Sequence, residues 1–482
     1  MNLSRLGKPA AFLSALLLTM PVLAAEPPPA VDPAVLARVR DAAMNSDWAY
    51  QRLSDLTDRI GPRLSGSPQA EAAVVQVAAA LRSAGLQVSL QPAKVPHWVR
   101  GEEAAELVEY PGRPDGIVQH LRLTTLGGSV ATPKAGLTAP LLVVHSFDEL
   151  KARAAEAKNA IVLFDVAFDQ DLADNGLAGA AYVQAVEYRV KGASAAARAG
   201  AVASLIRSVG GADFRLPHTG VMHYDADAPK IPTAALSAED AMLAARLAAQ
   251  GAVTMHLKLT PQTLPDADSH NVIADLPGRD KPDEVVIVSG HLDSWDLAQG
   301  AIDDGAGVTS AMGAAQLLKS LDLRARRTIR VVAWMNEENG GGGSKAYFEA
   351  NKDRLVQHAA VIESDSGAGK PLGLQANVTL ESVAALHPVT EALRSLGAAA
   401  IERRDEAVGA DIEPLQNAGV PGFEPLLDGR SYFFYHHTAA DTLDKVKPDN
   451  LRRQVATLAV LAYYLAEMPE PLPRLPPRKE EN

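Results

Sequence analysis

The chain has 482 residues, of which 47% are hydrophobic and 22% charged, with a formal net charge of −12 and no cysteine. That length accommodates two cores, or one core carrying a large insertion, and the ordinary composition excludes a disordered chain and a multi-span membrane protein. An acidic chain without a dense Lys/Arg cluster excludes nucleic acid as a partner, and the missing thiols exclude any cysteine-ligated metal and a lipid-modified N-terminal cysteine.

From the N-terminus, Arg5 and Lys8 precede an apolar run over residues 10–22, and Val22-Leu23-Ala24-Ala25 offers the small residues a signal peptidase needs. Residues 1–25 are expected to be a cleaved signal peptide, which places the mature protein in the periplasm or outside the cell with no membrane contact. The alternative is an uncleaved anchor, for which the run is short. Cleavage removes Arg5, Lys8 and no acid, moving the net charge from −12 to −14. Asp32 and Pro33 read as the cap and first residue of a helix over 33–57. A second helix is expected over 67–84, ended by Gly85, with an alternating strand over 86–90.

Between about 111 and 265 the texture changes to short strand-like runs, such as 141–144 and 160–164, separated by alanine-rich helical stretches. This is expected to be an inserted domain, leaving 26–110 and 266–468 to build an α/β catalytic domain. The proline-rich, charged stretch 469–482 reads as a flexible tail.

The chemistry sits after the strands of the second half. The apolar run 284–289 suits a strand buried on both faces of a parallel sheet, and His291 and Asp293 follow it directly. Asp303 and Asp304 lie in a glycine-rich turn before a helix of small residues. The run 328–334 ends in Asn336-Glu337-Glu338-Asn339 and four glycines, 359–362 delivers Glu363-Ser364-Asp365, and Tyr435-His436-His437-Thr438 precedes Asp441. Singly, an acid after a strand is ordinarily a helix cap, and a histidine an ordinary side chain. Jointly, they recur where a parallel sheet gathers ligands, at the carboxyl ends of its strands.

Carboxylates packed together are costly unless a cation neutralises them, and imidazole plus carboxylate without sulfur suits zinc. A pair of zinc ions needs a shared carboxylate. Asp303 is the predicted bridge, with His291 and Asp365 on one ion and Glu338 and His437 on the other. Glu337 stays free as the general base that deprotonates a metal-activated water. Asp293 is expected to orient His291 through its carboxylate, and Asp441 or Asp411 to play a similar part elsewhere.

Together, His291-x-Asp293, Asp303-Asp304-Gly305, Glu337-Glu338, Glu363-Ser364-Asp365 and His437-Thr438-x-x-Asp441-Thr442 resemble the co-catalytic di-zinc aminopeptidase family, and within it the carboxypeptidase Q-like peptidases. PHWVRGEEAA from Pro96, SFDEL from Ser146, ASLIRSV from Ala203, PHTG from Pro217 and KIPTA from Lys230 extend the likeness over nearly the whole mature chain. The resemblance implies a phosphorylase/hydrolase-like mixed sheet flanked by helices, two zinc ions, and an inserted protease-associated domain acting as a lid or dimer contact. It implies the ligand roles given above, prefers His437 to His436 as the residue preceding the small hydroxyl, and makes Asp303-Asp304 a cis peptide. Asn339 and the plain glycine run 340–343 depart from the family pattern. The resemblance assigns no tyrosine here to the oxyanion-stabilising role that one plays in some relatives, so Tyr432 and Tyr435 stay unassigned.

The expected activity is hydrolysis of dipeptides or short peptides from a chain end, with a homodimer as the expected assembly if the insertion is a subunit contact. His218, Arg207 and Arg430 are candidate substrate contacts beside an ordinary structural reading. The rivals are a non-catalytic receptor-like binding protein on the same fold, which would be expected to have lost ligands, and a two-metal phosphatase or nuclease.

Overall fold

The computed structural model describes residues 31–211 and 214–478, so the expected signal peptide lies outside the described residues. Two eight-stranded sheets carry the chain. Across the first, the strands run Gln87–Val99, Gln262–Leu276, Arg327–Trp334, Lys281–His291, His358–Glu363, Gly422–Leu427, Pro371–Asn377 and Ala400–Arg403. Its middle four strands are parallel, and antiparallel strands flank them on both sides. The apolar run before His291 is thus a central strand, with Val285, Val286, Ile287 and Val288 all buried. Burying such a side chain contributes roughly 1.5–3 kcal/mol.

Helices Ala306–Ser320 and Pro448–Glu467 pack against each other and the sheet. Ala306, Gly307, Ser310, Ala311 and Gly313 let the first of them approach closely, and nearly its whole length is buried. Helix Pro33–Met44 caps this layer, with Leu36, Val39 and Ala43 buried; the Asp32 carboxylate accepts from the Ala34 N–H at 2.9 Å, and Pro33 opens the helix as expected. The predicted helix over 33–57 is in fact two, Pro33–Met44 and Trp48–Arg59. Asn45, Ser46 and Asp47 interrupt it because short polar side chains compete for backbone groups: Asn45 donates to the Asp41 carbonyl, and the Ser46 hydroxyl accepts from the Trp48 N–H.

The second sheet is built from strands between Glu103 and Leu259 and lies between Gln87–Val99 and Gln262–Leu276, which pair with each other in the first. It takes in Glu103–Glu109, upstream of the boundary expected at 111, because that strand pairs with Thr254–Leu259. Helix Ala178–Arg198 lies over it, packing around Val162, Phe164 and Ile206.

The stretch after residue 468 is not loose as far as Arg478. Leu472 is buried, Arg474 donates to the carbonyls of Leu355 and His358, and the Leu475 and Arg478 N–H groups bond to Gly419 and Asn417. Its prolines restrict the unfolded chain, which lowers the entropy lost on docking. No helix among the described residues is long and apolar enough to cross a membrane.

Candidate metal centre

The parallel strands end in register, His291 opposite Trp334 and Ser289 opposite Glu363. The loops that follow are therefore delivered to one end of the sheet, where ligands bind in this architecture. His291 Nε2 stands 3.2 Å from Asp303 Oδ1 and 3.2 Å from Asp365 Oδ1. His437 Nε2 stands 3.0 Å from Glu338 Oε2 and 3.2 Å from Asp303 Oδ2. Two triads result, and Asp303 gives one oxygen to each. The Asp303–Asp304 peptide is cis, as the resemblance implied.

These spacings fit metal ions better than hydrogen bonds. A single N–H cannot serve two carboxylates at once, whereas a tetrahedral ion with N and O ligands at about 2.0–2.2 Å spaces them about 3.3 Å apart. Asp303 Oδ2 and Glu338 Oε1 are buried without a hydrogen-bond partner, which is costly unless a cation is their partner. Two imidazoles, three carboxylates and no sulfur are a donor set for zinc.

The electrostatics agree. Burial, with Asp303 beside it, pushes the Glu338 carboxyl up to about 7. Burial opposes charge on His437, yet Glu338 and Asp303 raise its imidazole to about 9. Burial, with Asp365, Glu338 and Asp411 nearby, lifts Glu337 well above the carboxylate range. Raised carboxyls and raised imidazoles together mark a cluster in which the acids outnumber the cations. Glu337 belongs to neither triad and lines the cavity in front of them.

Residues 271–462 match the model of Peptidase family M28. Human carboxypeptidase Q is 41% identical over 428 residues, covering 88% of this chain and 87% of that protein. The chain belongs to peptidase family M28. A crystal structure of a peptidase M28 precursor from Shewanella amazonensis SB2B superposes with a TM-score of 0.86 at 36% identity, covering 92% of this chain and 99% of that one. A zinc aminopeptidase from Bacillus subtilis gives a TM-score of 0.62 at 22% identity, with 86% and 94% covered, and shows the shared fold.

The surroundings of the M28 centre hold its loops by backbone contacts. Asp304 is no ligand here: its two oxygens accept from the His291 N–H and the Gly307 N–H, both at 3.0 Å, pinning strand end to helix start. Asp441 accepts from the N–H groups of Ala301, Ile302 and Asp303, bracing the residue shared by the two triads without touching a histidine. Asp411 is buried with neither oxygen bonded, and burial among like charges, Asp293 and Asp365, raises it to about 8; only its backbone N–H is engaged, donating to Glu363.

Asp293 departs from its expected part. His291 Nδ1 bonds to the Asp293 backbone carbonyl at 3.0 Å, and the carboxylate stands 3.8 Å away. That carboxylate accepts instead from the N–H groups of Asn336 and Glu337, at 2.7 and 3.1 Å, and from the Ser65 hydroxyl at 2.9 Å. Two residues past the strand the chain has turned, so carbonyl and carboxylate point to different neighbours. Asp293→Ala is expected to lower kcat about ten- to hundredfold at unchanged metal content. Metal loss from the His291 side would show that the carboxylate acts through His291 after all.

The glycine run serves the same loop. A Cβ on Gly343 would lie 2.2 Å from Asn271 Oδ1, so only glycine lets this turn fold back on the sheet.

Sequence reasoning expected the insertion as a lid and named His218 from it, but missed Thr219 and Arg189. In the loop 217–220, the Thr219 N–H donates to the His437 carbonyl at 2.9 Å and the Thr219 carbonyl meets His437 Nδ1 at 3.3 Å, which fixes a residue whose φ is 58°. Arg189, from helix Ala178–Arg198, is 6% exposed and lines the cavity, which has a volume of about 1000 Å³. It makes one long bond, 3.4 Å to the Thr219 carbonyl, sits over the Tyr182 ring, and leaves Nε unpartnered. A Cβ on Gly220 would lie 2.2 Å from its guanidinium, so glycine there makes its room. The only earlier signal was the Pro-His-Thr-Gly motif. Of the other candidate contacts, Arg207 pairs with Asp165 and Arg430 with Asp428, and neither side chain is among those lining the cavity.

Proposed function

We propose that this M28 peptidase is a zinc-dependent exopeptidase acting on dipeptides or short peptides, with two zinc ions per chain. The observation that supports it most is the pair of triads sharing Asp303, with Glu337 left free beside them. His291, Asp303 and Asp365 would hold one ion, and His437, Asp303 and Glu338 the other. When bound, the ions supply Lewis acidity for the scissile carbonyl and a water acidic enough to ionise near neutral pH. Glu337 accepts the proton of that water as its oxygen attacks the carbonyl carbon, then delivers it to the departing amine nitrogen as the C–N bond breaks. The Asn336 and Glu337 N–H groups, held by Asp293, keep the base loop in place for both transfers.

Short free peptides suit the cavity because its charges are divided. The carboxylates at the centre attract a terminal amine, whereas Arg189 is a buried cation that no carboxylate among the described residues pairs with. A guanidinium in that state favours a planar anion, such as a terminal carboxylate, bound through two N–H groups. Arg189→Met is expected to cut kcat/KM for free dipeptides roughly ten- to hundredfold, the worth of one or two charged hydrogen bonds, and to leave C-amidated dipeptides nearly unaffected. Equal losses on both would deny Arg189 this role.

The second sheet is proposed to be a protease-associated insertion that walls the cavity, since Arg189 and Thr219 both come from it. Export is proposed from residues 1–25, and the N-terminal sequence of the mature enzyme tests it.

A further inference from the structure

Both tyrosines left unassigned beside the centre are packed against other side chains, and the structure offers a different group as an oxyanion donor. Tyr435 lies beneath the Lys445 ammonium, and Tyr432 packs its ring against His436 at 4.8 Å. His436 itself is 7% exposed, lines the cavity with Glu337, Asp303, Glu338, Asp365 and His437, and stacks on His437 with ring centroids 3.6 Å apart. Its Nε2 is 3.4 Å from Asp303 Oδ2, yet that oxygen has no hydrogen-bond partner, so any proton on Nε2 is unspent. His436 Nδ1 faces His218 Nε2 of the second sheet's lobe at 3.4 Å, and His218 is 1% exposed with Nδ1 unpartnered.

His218, His436 and His437 also lie close enough together to hold an ion. That would take His437 away from Glu338 and Asp303 through one nitrogen, or from the Thr219 carbonyl through the other. The pair of triads leaves this third cluster no free His437 nitrogen.

The tautomers follow from the network. Suppose His436 donated to His218. Its Nε2 lone pair would then face a carboxylate oxygen, and His218 would carry its proton on the unpartnered, buried Nδ1. Suppose instead that His218 donates. Then the proton of His436 sits on Nε2, which opens to the cavity where water or substrate can accept it, and the buried atom left unmet is only an acceptor lone pair on His218. Orphaned buried N–H groups are rarer and costlier than under-used acceptors, so the second arrangement holds.

We propose that His436 donates its Nε2–H to the oxyanion developing on the scissile carbonyl oxygen, with His218 as the positioning residue that sets its tautomer. This rests on the peptidase reading above. A preorganised donor beside the site of developing charge acts in the transition state and not in substrate binding.

The test compares His436→Phe, His436→Gln, His218→Phe and Tyr182→Phe in the full-length, zinc-loaded enzyme. His436→Phe should lower kcat about 100- to 1000-fold, the loss of one oxyanion donor, with KM and two bound zinc ions retained. Its affinity for a phosphinate dipeptide analogue, a stable tetrahedral mimic, should fall in parallel, while affinity for the free product amino acids stays unchanged. His436→Gln keeps an N–H donor and should recover much of the loss, His218→Phe should show part of it, and Tyr182→Phe should show none. The assignment is overturned if His436→Phe keeps kcat within about threefold of wild type, if it loses zinc together with activity, or if Tyr182→Phe shows the loss instead. A wild-type enzyme with no chelator-sensitive hydrolysis would overturn the peptidase reading, and unchanged phosphinate affinity in His436→Phe would then overturn this assignment separately.

Discussion

Glu337→Gln is expected to lose about a thousandfold or more of turnover while still binding two zinc ions. General base catalysis by a placed side chain is worth roughly 10²–10⁴, and here the same carboxylate serves twice, on the attacking water and on the leaving amine. Glutamine keeps the shape and the backbone contact to Asp293 but cannot accept and return a proton. Because Glu337 stands outside both triads, the metal should be indifferent to the change. The discriminating measurement is zinc content beside kcat. Retained activity would remove Glu337 from the mechanism, and lost zinc would make it a ligand.

The second large effect is expected at Asp303. Its two oxygens face different histidines, so Asp303→Ala removes a ligand from both ions at once, whereas Asp365→Ala or Glu338→Ala removes one from a single triad. Zinc measured on purified protein should fall from two per chain toward zero for Asp303→Ala, with activity abolished, and toward one for either neighbour. Asp303→Ala that kept one tightly held ion would contradict a shared bridge.

Much of this centre was legible in the sequence because parallel strands impose it. Apolar runs 284–289, 328–334 and 359–362 are each followed within a few residues by His291, Glu338 or Asp365, and a parallel sheet places such positions side by side whatever lies between them. Periodicity also revealed the helix after Asp32, but not its break at Asn45, where local side-chain bonds outweigh the apolar pattern. What stayed hidden depends on rotation about single residues or on contacts between distant segments. Asp293 looked like a partner of His291, yet its carboxylate points to the Glu337 loop. Arg189 is one arginine in an alanine-rich helix until the loop 217–220 brings it to the cavity. His436 and His218 are 218 residues apart and meet only because the second sheet folds back over the first. The docking of Arg474 and Arg478 was hidden for the same reason: their acceptors are carbonyls, which no side-chain pattern announces.

The most direct test is hydrolysis of an unblocked dipeptide by the purified protein, followed before chelation, after chelation and after zinc is returned, with bound zinc counted at each stage. Activity that disappears with the metal and returns as occupancy approaches two ions per chain is the predicted result. Two bound zinc ions without cleavage of any free, N-blocked or C-blocked dipeptide would contradict it, and would point to a binding protein or to a different ester or amide as the substrate.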